Sequence, residues 1–288
     1  MKIDAHQHFW RYDPVAYPWI RTDVLRHTYL PADLRPQLDA AGFDGTVAVQ
    51  ARSTWEETAW LLDLADEHSW IAGVVGWADV ANPQLPQQLE AHADRPRLCG
   101  IRCGIQSSPD GGPSGAFLTG IAVLTDADLT FDLSVRPPQL PLATRLVQAT
   151  PHQRFILDHI AKPLIKDRAV APWEADIREL AAHPNVACKV SGMVTEADRA
   201  AWQPADFAPY LDVVLDAFGA DRLMIGSDWP VCRQAAEYGE AMGVVEAYLG
   251  ALSADEQSAV LGGTAIEWYG LDSRLKVIEL QSDQIQHS

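Results

Sequence analysis

Eight short apolar segments recur along the chain at a mean spacing of about 31 residues, the length that a strand, a crossover helix and two turns need in a parallel βαβ unit. Their cores fall at residues 2–9, 45–51, 71–77, 98–105, 130–135, 154–160, 185–191 and 222–228. The intervening segments carry helical signals. Ser53 with Glu56 reads as a capping box, after which Trp55, Ala59 and Leu62 recur at helical spacing. Phe207, Tyr210, Leu211, Val214, Leu215 and Phe218 trace one apolar face, and Gly219 follows as a stop. Eight strands with their helices predict an α/β fold of one domain, a closed (β/α)8 TIM-like barrel, which accommodates 288 residues without division. An open doubly wound sheet would place a Gly-rich phosphate turn after the first strand. Here residues 10–33 form an insertion rich in aromatics and prolines instead, predicted to cover the barrel mouth. The barrel is expected over residues 1–272, with 273–288 as a C-terminal tail.

Charge removes several classes of partner. The chain carries 22 Lys and Arg against 39 Asp and Glu, a net −17, and its basic residues are scattered, which argues against nucleic acid. No apolar run reaches the roughly 18 residues of a membrane helix, and Lys2 and Asp4 place charge where a signal peptide is apolar. A soluble, cytoplasmic protein is expected. Cys99, Cys103, Cys188 and Cys232 are too few for a disulfide framework and too scattered for a C-x-x-C metal site, so they read as reduced thiols. Ten tryptophans suit either core packing or a pocket for a polar ring.

The candidate chemistry lies at strand ends. Side chains alternate along a strand, so His6 and His8 point to the same side, where they could share a divalent metal or hold water; a His-x-His pair is also common as a merely polar feature. Asp228 ends the last apolar segment, and closure of a barrel brings that strand against the first. It reads as a general base, with a turn or cap aspartate before Pro230 as the bland alternative. His159 follows the sixth segment and supplies a third imidazole. His27, His68, His92, His152, His183 and His287 fall on predicted surfaces, loops or the tail. Arg102 and Lys189 lie inside apolar segments, where an unpaired charge is costly. Each either pairs with a buried carboxylate or faces the mouth and binds an oxyanion. Trp10, Trp19, Trp77 and Trp229 are candidates to stack on a sugar ring. A base, a carbonyl-polarising cation and three imidazoles form a hydrolytic set. No Gly-x-Ser-x-Gly elbow, phosphate loop or dinucleotide fingerprint competes with it.

Asp4-Ala5-His6-Gln7-His8, Leu157-Asp158-His159 with Lys162-Pro163, and Ile225-Gly226-Ser227-Asp228-Trp229-Pro230 together resemble the amidohydrolase superfamily. Phe9-Trp10, Tyr17-Pro18-Trp19, Gly100-Ile101-Arg102 and Lys189-Val190-Ser191-Gly192 resemble its sugar-lactonase group, that of the L-fuconolactonases and L-rhamnonolactonases. The resemblance runs from Met1 to about Leu271. It implies a (β/α)8 barrel in which Asp228 activates water against an aldonolactone carbonyl, His6, His8 and His159 are active-site histidines, and Arg102 contacts substrate. Superfamily members with two metals add a bridging Lys or Glu on strand four and a His on strand five. Arg102 and Phe131-Asp132-Leu133 stand there instead, so at most one divalent ion is implied, zinc first, bound by His6, His8, His159 and Asp228; a metal-independent site is the alternative. Cys103 replaces a histidine common in relatives, and Gly263-Thr264-Ala265 a more usual Gly-Asn-Ala. Two other readings stay open: a decarboxylase or hydratase acting on a carboxylated aromatic or unsaturated acid, and a sugar-acid binding protein without catalysis.

Overall fold

The computed structural model describes residues 1–272 and 274; apart from Arg274, the expected tail lies outside the described residues. Each apolar segment forms a strand: β1 (Ile3–Gln7), β2 (Gly45–Val49), β3 (Ile71–Gly76), β4 (Leu98–Arg102), β5 (Thr130–Leu133), β6 (Phe155–Leu157), β7 (Val186–Val190) and β8 (Leu223–Ile225). They pair in parallel and in sequence order in one eight-stranded sheet. Every strand residue is buried except Arg102 at the end of β4. Burial on both faces is the reason these strands read as continuous apolar runs rather than as alternating ones.

β8 meets β1 through a parallel bridge between Gln7 and Trp229. The Asp228 N–H donates to the His6 carbonyl at 2.8 Å, and the His8 N–H to the Trp229 carbonyl at 2.7 Å. Barrel closure therefore sets His6 and His8 beside Asp228, although 220 residues of chain separate His8 from Asp228. Asp4 braces this seam. It accepts from the Ser227 N–H at 2.9 Å, the Ser227 hydroxyl at 2.6 Å and the His6 N–H at 3.1 Å. Complete burial pushes the Asp4 carboxyl up to about 6.

All eight strands end short of the expected boundaries, and for β6 and β8 the backbone shows why. β6 stops at Leu157 because His159, Ile160, Ala161 and Lys162 take φ of 55, 48, 61 and 52°; β8 stops at Ile225, and Asp228 follows with φ 55°. Left-handed backbone cannot continue a strand, and it costs roughly 1–2 kcal/mol per non-glycine residue. That strain is concentrated where the candidate catalytic residues sit.

The helix expected after β2 runs over Trp55–Glu67, but its cap is Thr54 rather than Ser53. Thr54 Oγ1 accepts from the Glu57 N–H at 3.3 Å. The Glu57 carboxylate turns inward and accepts from the Ala51 and Arg52 N–H groups at 2.8 and 2.5 Å and from the Tyr17 hydroxyl at 2.9 Å. These three donors outweigh the expected box and fix the loop after β2 to the insertion. The helix Ala208–Phe218 stops at Gly219, whose φ of 73° is one that glycine adopts without penalty.

The insertion runs from His8 to the helix that starts at Pro31, and it is folded rather than loose. Trp10 and Tyr29 form an antiparallel bridge, and their rings pack edge to face 5.5 Å apart. Tyr29 packs in turn on Trp229 at 5.2 Å. Each such aromatic pair contributes roughly 0.5–1.5 kcal/mol beyond the area it buries. Cys99, Cys188 and Cys232 are buried free thiols, and Cys103 is half-buried. No helix among the described residues is long and apolar enough to cross a membrane.

Candidate active site

A cavity of about 240 Å³ opens at the carboxyl ends of the strands, the face where barrel enzymes place their chemistry. His8, His159, Asp228 and Arg102 line it, with Trp19 from the insertion at its rim. His6 lies under His8, with Nε2 to Nε2 at 3.2 Å. Asp228 Oδ1 is the common focus: His8 Nε2 lies 3.4 Å from it, His6 Nε2 3.8 Å and His159 Nε2 4.0 Å.

Close packing around two glycines sets this geometry. A Cβ on Gly226 would lie 2.8 Å from the His6 Cβ and 3.1 Å from its backbone nitrogen; one on Gly192, at φ 64°, would lie 2.7 Å from His159 Nδ1. Gly226→Ala is expected to displace His6 and lower kcat/KM by roughly 10²-fold, since errors of about 1 Å cost that much. Steady-state rates beside a wild-type-like circular dichroism spectrum check it, and an unchanged rate would show that His6 tolerates the shift.

Hydrogen bonds orient the imidazoles. His8 Nδ1 lies 2.7 Å from the Val49 carbonyl, which can only accept, so the proton is on Nδ1 and Nε2 presents a lone pair. His159 Nδ1 pairs with the Ser191 hydroxyl at 2.8 Å, which leaves its Nε2 toward Asp228. His6 Nδ1 is flanked by Asp158 Oδ1 and by Lys189 Nζ, both at 3.2 Å. A carboxylate behind the ligating imidazole is the usual support of a metal-binding histidine.

Burial, with the Lys189 ammonium, holds His6 well below the ordinary imidazole value; burial also holds His8 below it and His159 well below it. Burial works to raise Asp228, but the field of His159, the contact with His8 and the ammonium of Lys162 outweigh it and keep the carboxyl low. At neutral pH the site thus holds an ionised carboxylate among three neutral imidazoles. This has a consequence for stability in chelator-treated protein. As pH falls below about 6.5, the unfolded chain takes up protons at three histidines that the fold keeps neutral, so stability present above that value is lost. Asp4, raised to about 6, opposes this because the folded state takes up its proton first. Three sites outweigh one, and the melting temperature is expected to fall by roughly 5 °C from pH 7 to pH 6, for about 2 kcal/mol. A flat or rising profile would contradict the assignment of neutral imidazoles.

The donor set fits one divalent ion. A tetrahedral shell with donors about 2.1 Å from the ion has edges of roughly 3.4 Å; His8 Nε2 stands 3.4 Å from Asp228 Oδ1, and His6 Nε2 and His159 Nε2, at 3.8 and 4.0 Å, lie somewhat beyond that edge. Donor atoms of His6, His159 and Asp228 all lie within 4.8 Å of one another.

Several expected residues stand elsewhere. Lys189 is fully buried below the cavity, its ammonium 2.6 Å from Asp132 Oδ2 and 3.0 Å from Asp158 Oδ1, so it pairs with carboxylates and does not face the mouth. Arg102 does line the cavity, but both of its terminal nitrogens are engaged. Nη1 donates to Asp158 Oδ2 at 2.9 Å, and Nη2 to the Gln50 carbonyl and Oε1 at 2.5 and 2.7 Å. Of the four tryptophans, only Trp19 lines the cavity, its indole N–H donating to the Ala51 carbonyl at 2.9 Å. Trp10 and Trp229 are buried in the aromatic wall, where they shape the insertion, and half-buried Trp77 is not among the lining residues. The sequence reading missed Gln50, Ser134, Asp132, Lys162 and Ser191 as site or supporting residues. Asp158 and Lys162 were visible in the motif beside His159, but the buried partners of Asp158 were not.

A (β/α)8 barrel with this cluster at the mouth of β1 and β8 defines a hydrolase-type, metal-competent site. The chain belongs to the amidohydrolase family, whose sequence model matches residues 3–271. The L-fucono-1,5-lactonase of Burkholderia multivorans is 42% identical, covering 96% of this chain and 99% of that protein. The L-fucono-1,5-lactonase of Burkholderia ambifaria is 37% identical, covering 94% and 96%. The crystal structure of a Burkholderia multivorans amidohydrolase with bound zinc is also 42% identical, with a TM-score of 0.88, and covers 94% of this chain and 99% of that one.

Proposed function

We propose that this protein hydrolyses a sugar lactone to its aldonic acid, with L-fucono-1,5-lactone the leading substrate. The observation that carries the reading is the Asp228 carboxylate, its Oδ1 within 4.0 Å of three imidazole nitrogens, in a chain alike over its whole barrel to two L-fucono-1,5-lactonases.

Asp228 takes a proton from water as the water oxygen bonds to the lactone carbonyl carbon. The carbonyl π electrons move onto its oxygen. As they return, the ring C–O bond breaks, and protonated Asp228 gives its proton to the departing ring oxygen, which becomes a hydroxyl. Asp228 is thereby restored as a carboxylate. His8 and His159 hold it in place, and Trp19 closes the rim over the ring. His6, His8, His159 and Asp228 would hold a zinc ion, which when bound supplies Lewis-acid polarisation. Arg102 anchors Asp158 and Gln50 behind His6.

Acid release from a panel of aldonolactones at near-neutral pH, with and without chelator and with zinc restored, tests the reading. Hydrolysis of L-fucono-1,5-lactone and a subset of its stereoisomers is expected. Silence across the panel, or carbon dioxide release from a carboxylated aromatic acid, would overturn it.

A further inference from the structure

We infer that Lys162 receives the carboxylate oxygen created as the lactone ring opens, and is thus a substrate- and product-binding residue of this site. The inference rests on the lactonase reading and extends it to a residue outside the histidine–aspartate cluster.

Three cations stand near the cluster, and their engagement differs. Lys189 is sealed below it between two carboxylates. Arg102 has both terminal nitrogens bound to Asp158 and Gln50. Lys162 lines the same cavity as His8, His159 and Asp228, is half-buried, and its ammonium makes no hydrogen bond or ion pair with the described residues. Its three N–H donors therefore remain free for an incoming acceptor.

The backbone under Lys162 is built for this placement. Residues 159–162 are all left-handed, and the Lys162 N–H donates to the His159 carbonyl at 2.8 Å. One tight turn of uncommon conformation thus delivers His159 and Lys162 to the same cavity. A lysine serving only solubility needs no such turn.

The reaction supplies the ligand. A lactone is neutral and its hydrolysis product is an anion. Water adds its oxygen to the carbonyl carbon, the ring C–O bond breaks, the ring oxygen keeps the proton passed through Asp228, and the new carboxyl group loses its own proton to solvent. Lys162 stays protonated throughout and exchanges no atoms. A protein of net charge −17 repels that anion at long range, and the Asp228 carboxylate repels it nearby. A free cation in the cavity is what stabilises the developing oxyanion and retains the carboxylate. Because the lactone itself carries no charge, Lys162 acts on kcat and on product affinity more than on KM.

The test compares Lys162→Gln and Lys162→Arg with wild type, using the aldonate formed from whichever lactone is turned over as the inhibitor. The expected result is a rise of about 10-fold or more in the aldonate inhibition constant of Lys162→Gln, a fall in kcat and a KM within about 3-fold of wild type. Lys162→Arg is expected to restore aldonate affinity to within about 3-fold, because charge rather than shape is required. Wild-type product inhibition should weaken with added salt, and that of Lys162→Gln should not. Thermal melts of both variants should stay close to wild type, since the Lys162 ammonium has no hydrogen bond or ion pair among the described residues to lose and acts on Asp228 only through its field. If wild type hydrolyses lactones and Lys162→Gln keeps the wild-type inhibition constant, or Lys162→Arg fails to restore it, this inference falls and the lactonase reading stands. If wild type hydrolyses no lactone, both fall together.

Discussion

Asp228→Asn is expected to lower kcat/KM for lactone hydrolysis by about 10³-fold or more, which corresponds to roughly 4 kcal/mol of lost transition-state stabilisation. The choice of asparagine isolates the chemistry. Asp228 has φ 55°, a conformation that asparagine tolerates far better than alanine, so the turn between β8 and its loop survives. The Asp228 N–H still donates to the His6 carbonyl, and barrel closure persists. What disappears is an anionic proton acceptor that His159, His8 and Lys162 hold ionised against complete burial. Rates from acid release, with circular dichroism as the control for folding, decide the matter. A variant within tenfold of wild type would exclude Asp228 as the base.

Lys189→Met is expected to cost about 3–5 kcal/mol of stability, which in a chain of this size lowers the melting temperature by roughly 10 °C or more. The ammonium is fully buried between Asp132 and Asp158, and its field holds the Asp158 carboxyl well below the ordinary range against the opposing effect of burial. Methionine fills the space yet leaves two buried carboxylates facing each other without their shared cation. The Tyr269 hydroxyl, which donates to Asp132 Oδ2 at 2.7 Å, cannot replace it. Activity should fall as well, because Lys189 Nζ and Asp158 jointly hold His6 Nδ1. The double variant Lys189→Met with Asp132→Asn removes a charge of each sign, and part of the loss should return. Melting curves of the two variants and wild type measure this. No recovery in the double variant would mean that shape rather than charge governs the site.

The barrel was legible because burial on both faces imposes eight continuous apolar runs, and the βαβ geometry imposes their spacing. His6 and His8 were legible for a related reason: strand alternation puts them on one side whatever the rest of the chain does. Strand ends were less so. Residues 154–160 read as one strand, whereas the chain turns left-handed from His159, and no local propensity announces four such residues in a row. The cap of the helix Trp55–Glu67 was misplaced by one residue because the donors that turn Glu57 inward come from Ala51, Arg52 and Tyr17.

Charges show the division most clearly. The sequence by itself determined the α/β barrel, the pairing of His6 with His8, and the presence of Asp228, His159, Arg102 and Lys189 at strand ends, since strand period and barrel order follow from local pattern. Only the tertiary structure decided which charge meets which. Lys189 went to the floor with Asp132 and Asp158, Arg102 was tied to Gln50 and Asp158, and Lys162 was left free in the cavity. The physical reason is that a buried ion is stable only against partners that other strands deliver. Those partners are set by the closure of the barrel and the directions of side chains within it, which the order of residues along one strand does not contain.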